Sequence, residues 1–341
     1  MPRMRSETVL HVFLRESQAV VQETHLEAKL ARIAHAVVEA GLYRRAVVQL
    51  YDRVYGEKMF GCAGVTADEE EWLRTHDVLG PDAYGRIARY AVALGGPVYF
   101  IPHDRLPEVL PAADQFLLSG QTRWKGRGYW HPDDMLYCEL TSSDGLAMGN
   151  LTADEPFDGR VPTPRTAALL APFVALASTV LEQEVGRRRD ALTGCFNGPA
   201  CRDEMARRLA SGRRFALVFL DMDNLKQIND GQGHAAGDRA IVETARALGE
   251  VLATVGGFAG RLHGDEFIAL FWTDGDEVTV AEQLARTWRP RLLGVSWGVT
   301  VSEPGDDPDR LLRRAELAMY LDKAHRKRYP STSAWSPADS H

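Results

Sequence analysis

Apolar residues at Leu26, Leu30, Ile33 and Val37 step by four, three and four, which is one face of a helix running to about Gly41. The run Ala46-Val47-Val48-Gln49-Leu50-Tyr51 predicts a strand immediately after it. A longer mixed region predicts a helix near Asp82–Leu94 and strands at Val98–Ile101, Met135–Leu140 and Leu146–Thr152. Ser143-Asp144-Gly145 reads as a hairpin turn and Asp154-Glu155-Pro156 as an exit loop. From Thr166 to Val185 the helical period returns, with Leu169, Phe173, Leu176 and Val180 again stepping four, three and four. Such a short stripe suits packing on its own domain, and its place ahead of a new run of elements also suits pairing with its copy in a second subunit.

The stripe fades into Gly186-Arg187-Arg188-Arg189-Asp190, and the pattern restarts beyond it. Helix (Pro199–Ala210), strand (Phe215–Leu220), helix (about Ala236–Ala253), a strand pair around Gly264, helix (Val278–Trp288), strand (Val295–Val301) and helix (Asp309–His325) follow in order. The polar segment 330–341, rich in Ser and Pro, reads as a disordered tail. The expectation is an α+β chain with a helical extension at 1–23, a first domain at 24–182, a second at 183–329 and the tail.

Length and composition agree with that division. At 341 residues the prior is two domains, since a domain averages about 150 residues. Hydrophobic residues at 45% and charged residues at 26% are ordinary for globular domains. A formal net charge of −7 argues against non-specific nucleic-acid binding by the surface as a whole. Cys62, Cys138, Cys195 and Cys201 show no paired CxxC spacing and are expected to be free thiols in a reducing cytosol. No stretch approaches the roughly 20 apolar residues needed to span a bilayer, and no targeting signal stands out, so a cytoplasmic protein without a membrane partner is expected.

The chemistry concentrates in two acidic segments. In Phe219-Leu220-Asp221-Met222-Asp223-Asn224-Leu225-Lys226-Gln227-Ile228-Asn229-Asp230 a hydrophobic strand ends at Asp221, so its carboxylate emerges at the strand's carboxyl edge, where α/β sheets hold ligands. In His263-Gly264-Asp265-Glu266-Phe267 a tight bend carries two more carboxylates. Acids from neighbouring strands can share a divalent cation, and Mg²⁺ prefers such hard oxygen donors together with substrate phosphates. Lys226, Lys323, Lys327 and Arg328 supply positive charge. Each piece alone reads as a turn, a cap or a solvated face; together they describe a nucleoside-triphosphate site.

With these residues in order, the segment from about Asp190 to Arg328 resembles the GGDEF family of diguanylate cyclases. Asp190-Ala191-Leu192-Thr193-Gly194-Cys195-Phe196-Asn197 is similar to the family's opening DxLTGLxN, and Asp221 to Asp230 to its DxDxFKxIND. Gly233-His234-Ala235-Ala236-Gly237-Asp238 fits GHxxGD, His263 to Phe267 is a variant of the signature, Val299-Thr300-Val301-Ser302 lies near the expected late strand, and Ala315 to Lys323 resembles ADxALYxAK. The resemblance implies a nucleotidyl-cyclase-like, ferredoxin-like fold and the condensation of two GTP into cyclic di-GMP and two pyrophosphates. It implies Mg²⁺, two per active dimer site with Mn²⁺ as a substitute, held by Asp221, Asp265 and the Met222 carbonyl. Glu266 would act beside Asp265, at the metal or near the attacking hydroxyl. Asn229 and Asp238 would read the guanine edge; a carboxylate accepts from the N1–H and N2–H₂ that adenine lacks, so Asp238 favours GTP over ATP. Lys226, Lys323 and Lys327, with backbone amides near Asn224 and Leu225, would neutralise the β- and γ-phosphates. One GTP per domain implies a homodimer.

Two departures bear on that expectation. His263 replaces the signature's first glycine and is expected to crowd the nucleotide or strain the hairpin. Thr254-Val255-Gly256-Gly257 stands where many members carry an inhibitory RxxD, so product inhibition there is not expected. The competing reading is a non-catalytic regulator that binds GTP and signals through protein contacts.

Residues 24–182 are similar, more weakly, to GAF sensory domains, through the helix-first order, the segment Asp144 to Leu151 and the closing helix. The resemblance implies a homodimer through this domain and the connecting helix, and an unidentified small ligand. Cys62 and Cys138 are candidates for a chromophore anchor or oxidant sensor, His103 and His131 for haem ligation, and Trp124, Tyr129 and Trp130 for pocket lining. A buried thiol, a surface histidine and a core aromatic are the plainer readings of the same residues.

Overall fold

The computed structural model describes residues 6–51, 58–75, 81–110, 124–289, 291–292 and 294–328, so the tail expected at 330–341 lies outside the described residues. The described chain forms two compact units, the first ending at Val185 and the second beginning at Gly186.

The first unit contains α1 (Ser6–Gln22), α2 (Leu26–Glu39), β1 (Tyr43–Tyr51), β2 (Lys58–Ala63), α3 (Ala67–Thr75), α4 (Pro81–Tyr90), β3 (Val92–Gly95), β4 (Val98–Ile101), α5 (Leu106–Val109), β5 (Met135–Thr141), β6 (Ala147–Pro156) and α6 (Pro164–Arg187). Its six strands form one antiparallel sheet in the order β2-β1-β6-β5-β4-β3. Alternation along β1 and β6 sends Ala46, Val48, Leu50, Leu151 and Ala153 to one face, where Leu30, Ile33 and Val37 of α2 and Leu170, Phe173 and Val174 of α6 close the core. Helix α1 belongs to this core: Phe13 stacks on Phe173 with ring centroids 4.4 Å apart, and the buried Lys29 ammonium donates to the Val20 carbonyl at 3.0 Å.

Three local expectations change. The helix expected over Asp82–Leu94 stops at Tyr90, because Val92 to Gly95 pairs with β4 as an edge strand. Asp154 to Pro156 continues β6 rather than leaving it, since Pro156 pairs with Tyr43 and the Asp154 carboxylate meets the Arg45 guanidinium at 2.5 Å across the sheet. The apolar stripe expected on α6 is turned by about one residue: Ala167, Leu170, Phe173, Val174, Ala177 and Leu181 are buried, and Leu176 is left exposed. Helix α6 is also long and apolar enough to cross a membrane by length and composition, which corrects the expectation that no stretch qualifies; its inward row is packed in the first unit's core.

The second unit contains α7 (Gly198–Ala210), β7 (Phe215–Met222), α8 (Leu225–Gln232), α9 (His234–Leu252), β8 (Gly257–His263), β9 (Glu266–Trp272), α10 (Glu277–Thr287), β10 (Val295–Val301) and α11 (Pro308–Arg328). The antiparallel order β10-β7-β9-β8 places the fourth strand beside the first and the third between first and second, the ferredoxin-like split βαβ arrangement. Strand β7 is central and its run Phe215 to Leu220 is fully buried, which explains why it reads as continuously apolar rather than alternating. Burying each such side chain contributes about 1.5–3 kcal/mol and fixes where the strand's polar end emerges. Side chains mark the helix starts: Asn197 accepts the Ala200 N–H at 3.1 Å and Asp276 the Thr279 N–H at 2.8 Å. Helix α8 escapes prediction because none of its eight residues is fully buried, so it has no strong apolar stripe.

Candidate active site

The end of β7 and the turn between β8 and β9 bring the acids together. Register sets Asp221 opposite Glu266 on one side and Ser296 on the other. The Met222 N–H donates to the Asp265 carbonyl at 3.1 Å, tying the strand end to the turn. Gly264 and Asp265 form a two-residue hairpin with a left-handed φ of 54° at Gly264, the position that demands glycine in such a turn. His263 ends β8 in ordinary backbone, the left-handed non-glycine residues among those described being Glu155 and Asn224. The strain expected at His263 therefore does not arise. Its side chain is 76% exposed, with Nδ1 3.0 Å from Glu266 Oε2.

Charge in this corner is unbalanced. Burial lifts the Asp221 carboxyl above its ordinary range, the Asp265 and Asp223 charges add to the rise, and the Lys323 ammonium of α11, in contact with Asp221 Oδ1, opposes it. Burial likewise lifts Glu266, reinforced by Asp221, Asp265 and Glu316 and opposed by His263. Carboxylates that resist ionising together are relieved by a cation, and the donor types here suit a hard divalent ion. Among the described residues no three His, Cys, Asp or Glu side chains converge as a ready-made metal site; the donors that the sequence nominates at this corner are the Asp221 and Asp265 carboxylates and the Met222 carbonyl. Asp223 is engaged elsewhere. Its carboxylate accepts the Ser296 hydroxyl at 2.7 Å and its N–H donates to the Gly294 carbonyl at 2.7 Å, anchoring the turn to β10.

Asn224, at φ 65°, turns the chain from β7 into α8, and the Ile228 N–H closes the first helical turn on its carbonyl at 3.1 Å. The backbone N–H groups of Leu225 and Lys226 thus lie at a helix N-terminus, where negative charge is favoured, and the Lys226 side chain is exposed. On α8, the Asn229 carboxamide lies against Gly237 of α9, where any Cβ would overlap it. Asp238, the next residue of α9, is exposed. Lys327 lies on α11, but its side chain is outside the described residues. The structure thus brings together Asp221, Asp265, Glu266 and Lys323, and separately pairs Asn229 with the Gly237-Asp238 segment.

One residue of this corner is not legible in the sequence. Arg261 Nη1 lies 2.9 Å from Asp190 Oδ1, and its Nε donates to the Gly264 carbonyl at 2.9 Å. Although burial works against ionisation of Asp190, hydrogen bonds from Thr193 and Arg261 hold its carboxyl below the usual range. Arginine two residues ahead of a hairpin has no spacing cue of its own; only its partners reveal it.

The candidates of the first unit are dispersed. Cys138 is buried in the helical core and burial pushes its thiol far up, while burial pushes Cys62 up to about 11. His103 and His131 stack at 3.9 Å, and their backbone N–H groups both donate to the Asp134 carboxylate, at 2.8 and 2.7 Å. Trp130 is buried near Tyr43 and Phe100, whereas Trp124 packs on the two histidines and Tyr129 faces Lys125 and Arg160.

Residues 187–328 match the family described as diguanylate cyclase, GGDEF domain. An uncharacterized 19.3 kDa protein of Streptomyces ambofaciens is 33% identical over 176 residues, covering 48% of this chain and 96% of the relative. Diguanylate cyclase DgcP of Escherichia coli K12 is 30% identical over 157 residues, covering 41% of this chain and 46% of the relative. A solved structure of a sensory box/GGDEF family protein from Caulobacter crescentus is 33% identical, covers 40% of this chain and 99% of that one, and superposes with a TM-score of 0.37. Other curated relatives are longer, the chain spanning as little as 18% of one. The ordered motifs, the acidic corner they build and the family match identify residues 187–328 as a domain of the GGDEF family.

Proposed function

We propose that the protein is a diguanylate cyclase that condenses two GTP into cyclic di-GMP and two pyrophosphates. The observation that carries this reading is the convergence of Asp221, Asp265 and Glu266 at the end of β7, with Lys323 already drawn to Asp221. In each of two equivalent steps the 3′-oxygen of one GTP bonds to the α-phosphorus of the other, the bond to pyrophosphate breaks, and the hydroxyl proton leaves. Asp221, Asp265 and the Met222 carbonyl would hold a divalent cation, Mg²⁺ or Mn²⁺, which supplies charge neutralisation at the phosphates when bound. Glu266, kept from easy ionisation by burial and by its acidic neighbours, is positioned to take the hydroxyl proton. The N–H groups of Leu225 and Lys226 and the Lys323 and Lys327 ammoniums receive the β- and γ-phosphates. Asn229 and Asp238 hold the guanine edge.

Each such unit holds one nucleotide, so two copies must meet. Leu10, Leu14 and Val21 of α1 form an exposed row at helical spacing, and this face suits a homodimer of the first unit. Read with the closing helix α6, the first unit acts as the sensor that governs how the pair forms. GTP as substrate supports a cytoplasmic setting.

Purified full-length protein incubated with GTP and Mg²⁺ should release cyclic di-GMP and pyrophosphate in a 1:2 ratio. GTP that binds without reacting, at protein concentrations where the dimer is measured to exist, would overturn the cyclase reading in favour of a nucleotide-binding regulator.

A further inference from the structure

A cleft in the second unit lies outside the acidic corner. It holds about 290 Å³ between α8, α9, the end of β7 and the chain that leads from α10 into β10. Buried Met222, Leu292 and Val295 line it, together with Ile228 of α8 and Ala247 of α9. On α9 the lining residues Ala240, Glu243, Thr244 and Ala247 step by three, one and three, which is one face of the helix. Asp238 is turned from Ala240 by about 200°, at roughly 100° per residue. The cleft therefore opens on the side of α9 turned away from the residue proposed to read guanine.

The polar groups of the cleft divide into those already engaged and those not. Asp223 accepts the Ser296 hydroxyl at 2.7 Å, the Thr244 hydroxyl donates to the Ala240 carbonyl at 2.9 Å, and Arg246 pairs with Glu250 at 2.9 Å. Glu243 and Arg291 differ. Among the described residues neither the carboxylate nor the guanidinium has a hydrogen-bond or ion-pair partner, and the two do not reach each other. An acid and a base that share a cleft without meeting are both satisfied by one molecule that carries the opposite charge at each. A guanidinium binds a carboxylate through two parallel hydrogen bonds, and a carboxylate accepts from an ammonium. The apolar lining suits a hydrocarbon or aromatic body, whose transfer from water is favourable. Ligand pockets run from about 300 to 1,000 Å³, so the occupant of this one is small.

We propose that this cleft binds a small zwitterion with an apolar body, the chemistry of an apolar α-amino acid, with its carboxylate on Arg291, its ammonium on Glu243 and its side chain against Met222, Ile228 and Leu292. The ligand acts as an effector rather than a substrate. Met222 ends the strand that carries Asp221, and Ile228 precedes Asn229 on α8, so an occupant braces both elements from behind. That effector role rests on the cyclase reading, whereas occupancy is tested by binding alone.

L-Leucine, L-methionine and L-phenylalanine are titrated into the full chain and followed by calorimetry and by the shift in Tm. At least one should bind and raise Tm. Its N-acetyl and carboxamide derivatives, each lacking one charge, should bind about tenfold more weakly or worse. Arg291→Ala and Glu243→Gln should each weaken the amino acid to the same degree while leaving the Tm of the free protein within about 2 °C, since neither side chain is paired. Failure of all three amino acids to bind overturns the proposal. Binding that both variants leave intact also overturns it, because the ligand then sits elsewhere, and so does a derivative that binds as well as the amino acid. In GTP turnover the bound amino acid should change KM by about fivefold or more in the parent and not in Arg291→Ala. An unchanged KM in an active parent overturns the effector role alone.

Discussion

Arg261 and Asp190 are joined by a 2.9 Å ion pair, and the same guanidinium donates to the Gly264 carbonyl in the acidic turn. The segment that opens the second unit and the hairpin that presents Asp265 are therefore held by one side chain. Arg261→Ala should loosen the hairpin and lower turnover while costing stability only on the order of 1 kcal/mol, since the pair is partly exposed. Steady-state kinetics and denaturant unfolding on the same samples check this; a variant with lost stability and unchanged kcat would show that the link does not reach the chemistry. Asp190 is held below the ordinary carboxyl range, so its contribution is complete above that range and is lost as pH falls through its folded-state value.

Replacing Asp221 or Asp265 by Asn removes charge from a site where carboxylates repel one another. Turnover should fall roughly 100-fold or more, as for other preorganised charge-stabilising groups, while Tm holds or rises. Product formation and thermal unfolding measured together distinguish this from misfolding.

The raised carboxyls make metal binding depend on pH in a fixed direction. Asp221 and Glu266 sit above their ordinary range in the folded protein, so the stabilisation from their protonation is present at low pH and is lost as pH rises through the folded-state values. Mg²⁺ should accordingly raise Tm near neutral pH, and the gain should shrink on acidification toward about pH 4 as protons replace the cation. Thermal scans with and without Mg²⁺ across that range test it; a gain that grows in acid would contradict the assigned donor set.

Because His263 lies in ordinary strand backbone with its ring in solvent, restoring the family glycine should do little to the fold. His263→Gly is expected to change stability by no more than about 0.5 kcal/mol. Gly237→Ala is the contrasting case: its Cβ overlaps the Asn229 carboxamide, so KM for GTP should rise more than kcat falls. Substrate titrations on the two variants, set side by side, report whether the guanine pair or the signature histidine is the sensitive element.

Leu14 is 64% exposed in the outward row of α1. Leu14→Glu should shift the monomer–dimer balance toward monomer and make specific activity depend more steeply on protein concentration. Light scattering and rate measurements over a dilution series check both; a variant that stays dimeric and fully active would place the dimer contact elsewhere.

The sequence determined the second unit's chemistry because the motifs are local. Asp221 must emerge where the apolar run of β7 ends, Gly264-Asp265 must form a turn, and Asn229, Asp238 and Lys323 stand at fixed motif spacings on α8, α9 and α11. Periodicity also sufficed for α2 and β1, whose buried rows are long, and found α6 while choosing a row one residue off the buried one. It failed for α3 and α8, which have short or no buried rows, and for β6 beyond Asp154, where a cross-sheet ion pair with Arg45 overrides a turn-like sequence. Only the tertiary structure showed what the second acid of Asp221-Met222-Asp223 does, Asp223 being held by Ser296 and Gly294. Only it showed that Gly264, not position 263, needs glycine, that Arg261 spans from Asp190 to the turn, and that Glu243 and Arg291 line one cleft. The physical reason is the same each time: residue type and spacing set local conformation, but the partner that decides what a polar side chain does is brought to it from elsewhere in the chain by sheet register and helix packing.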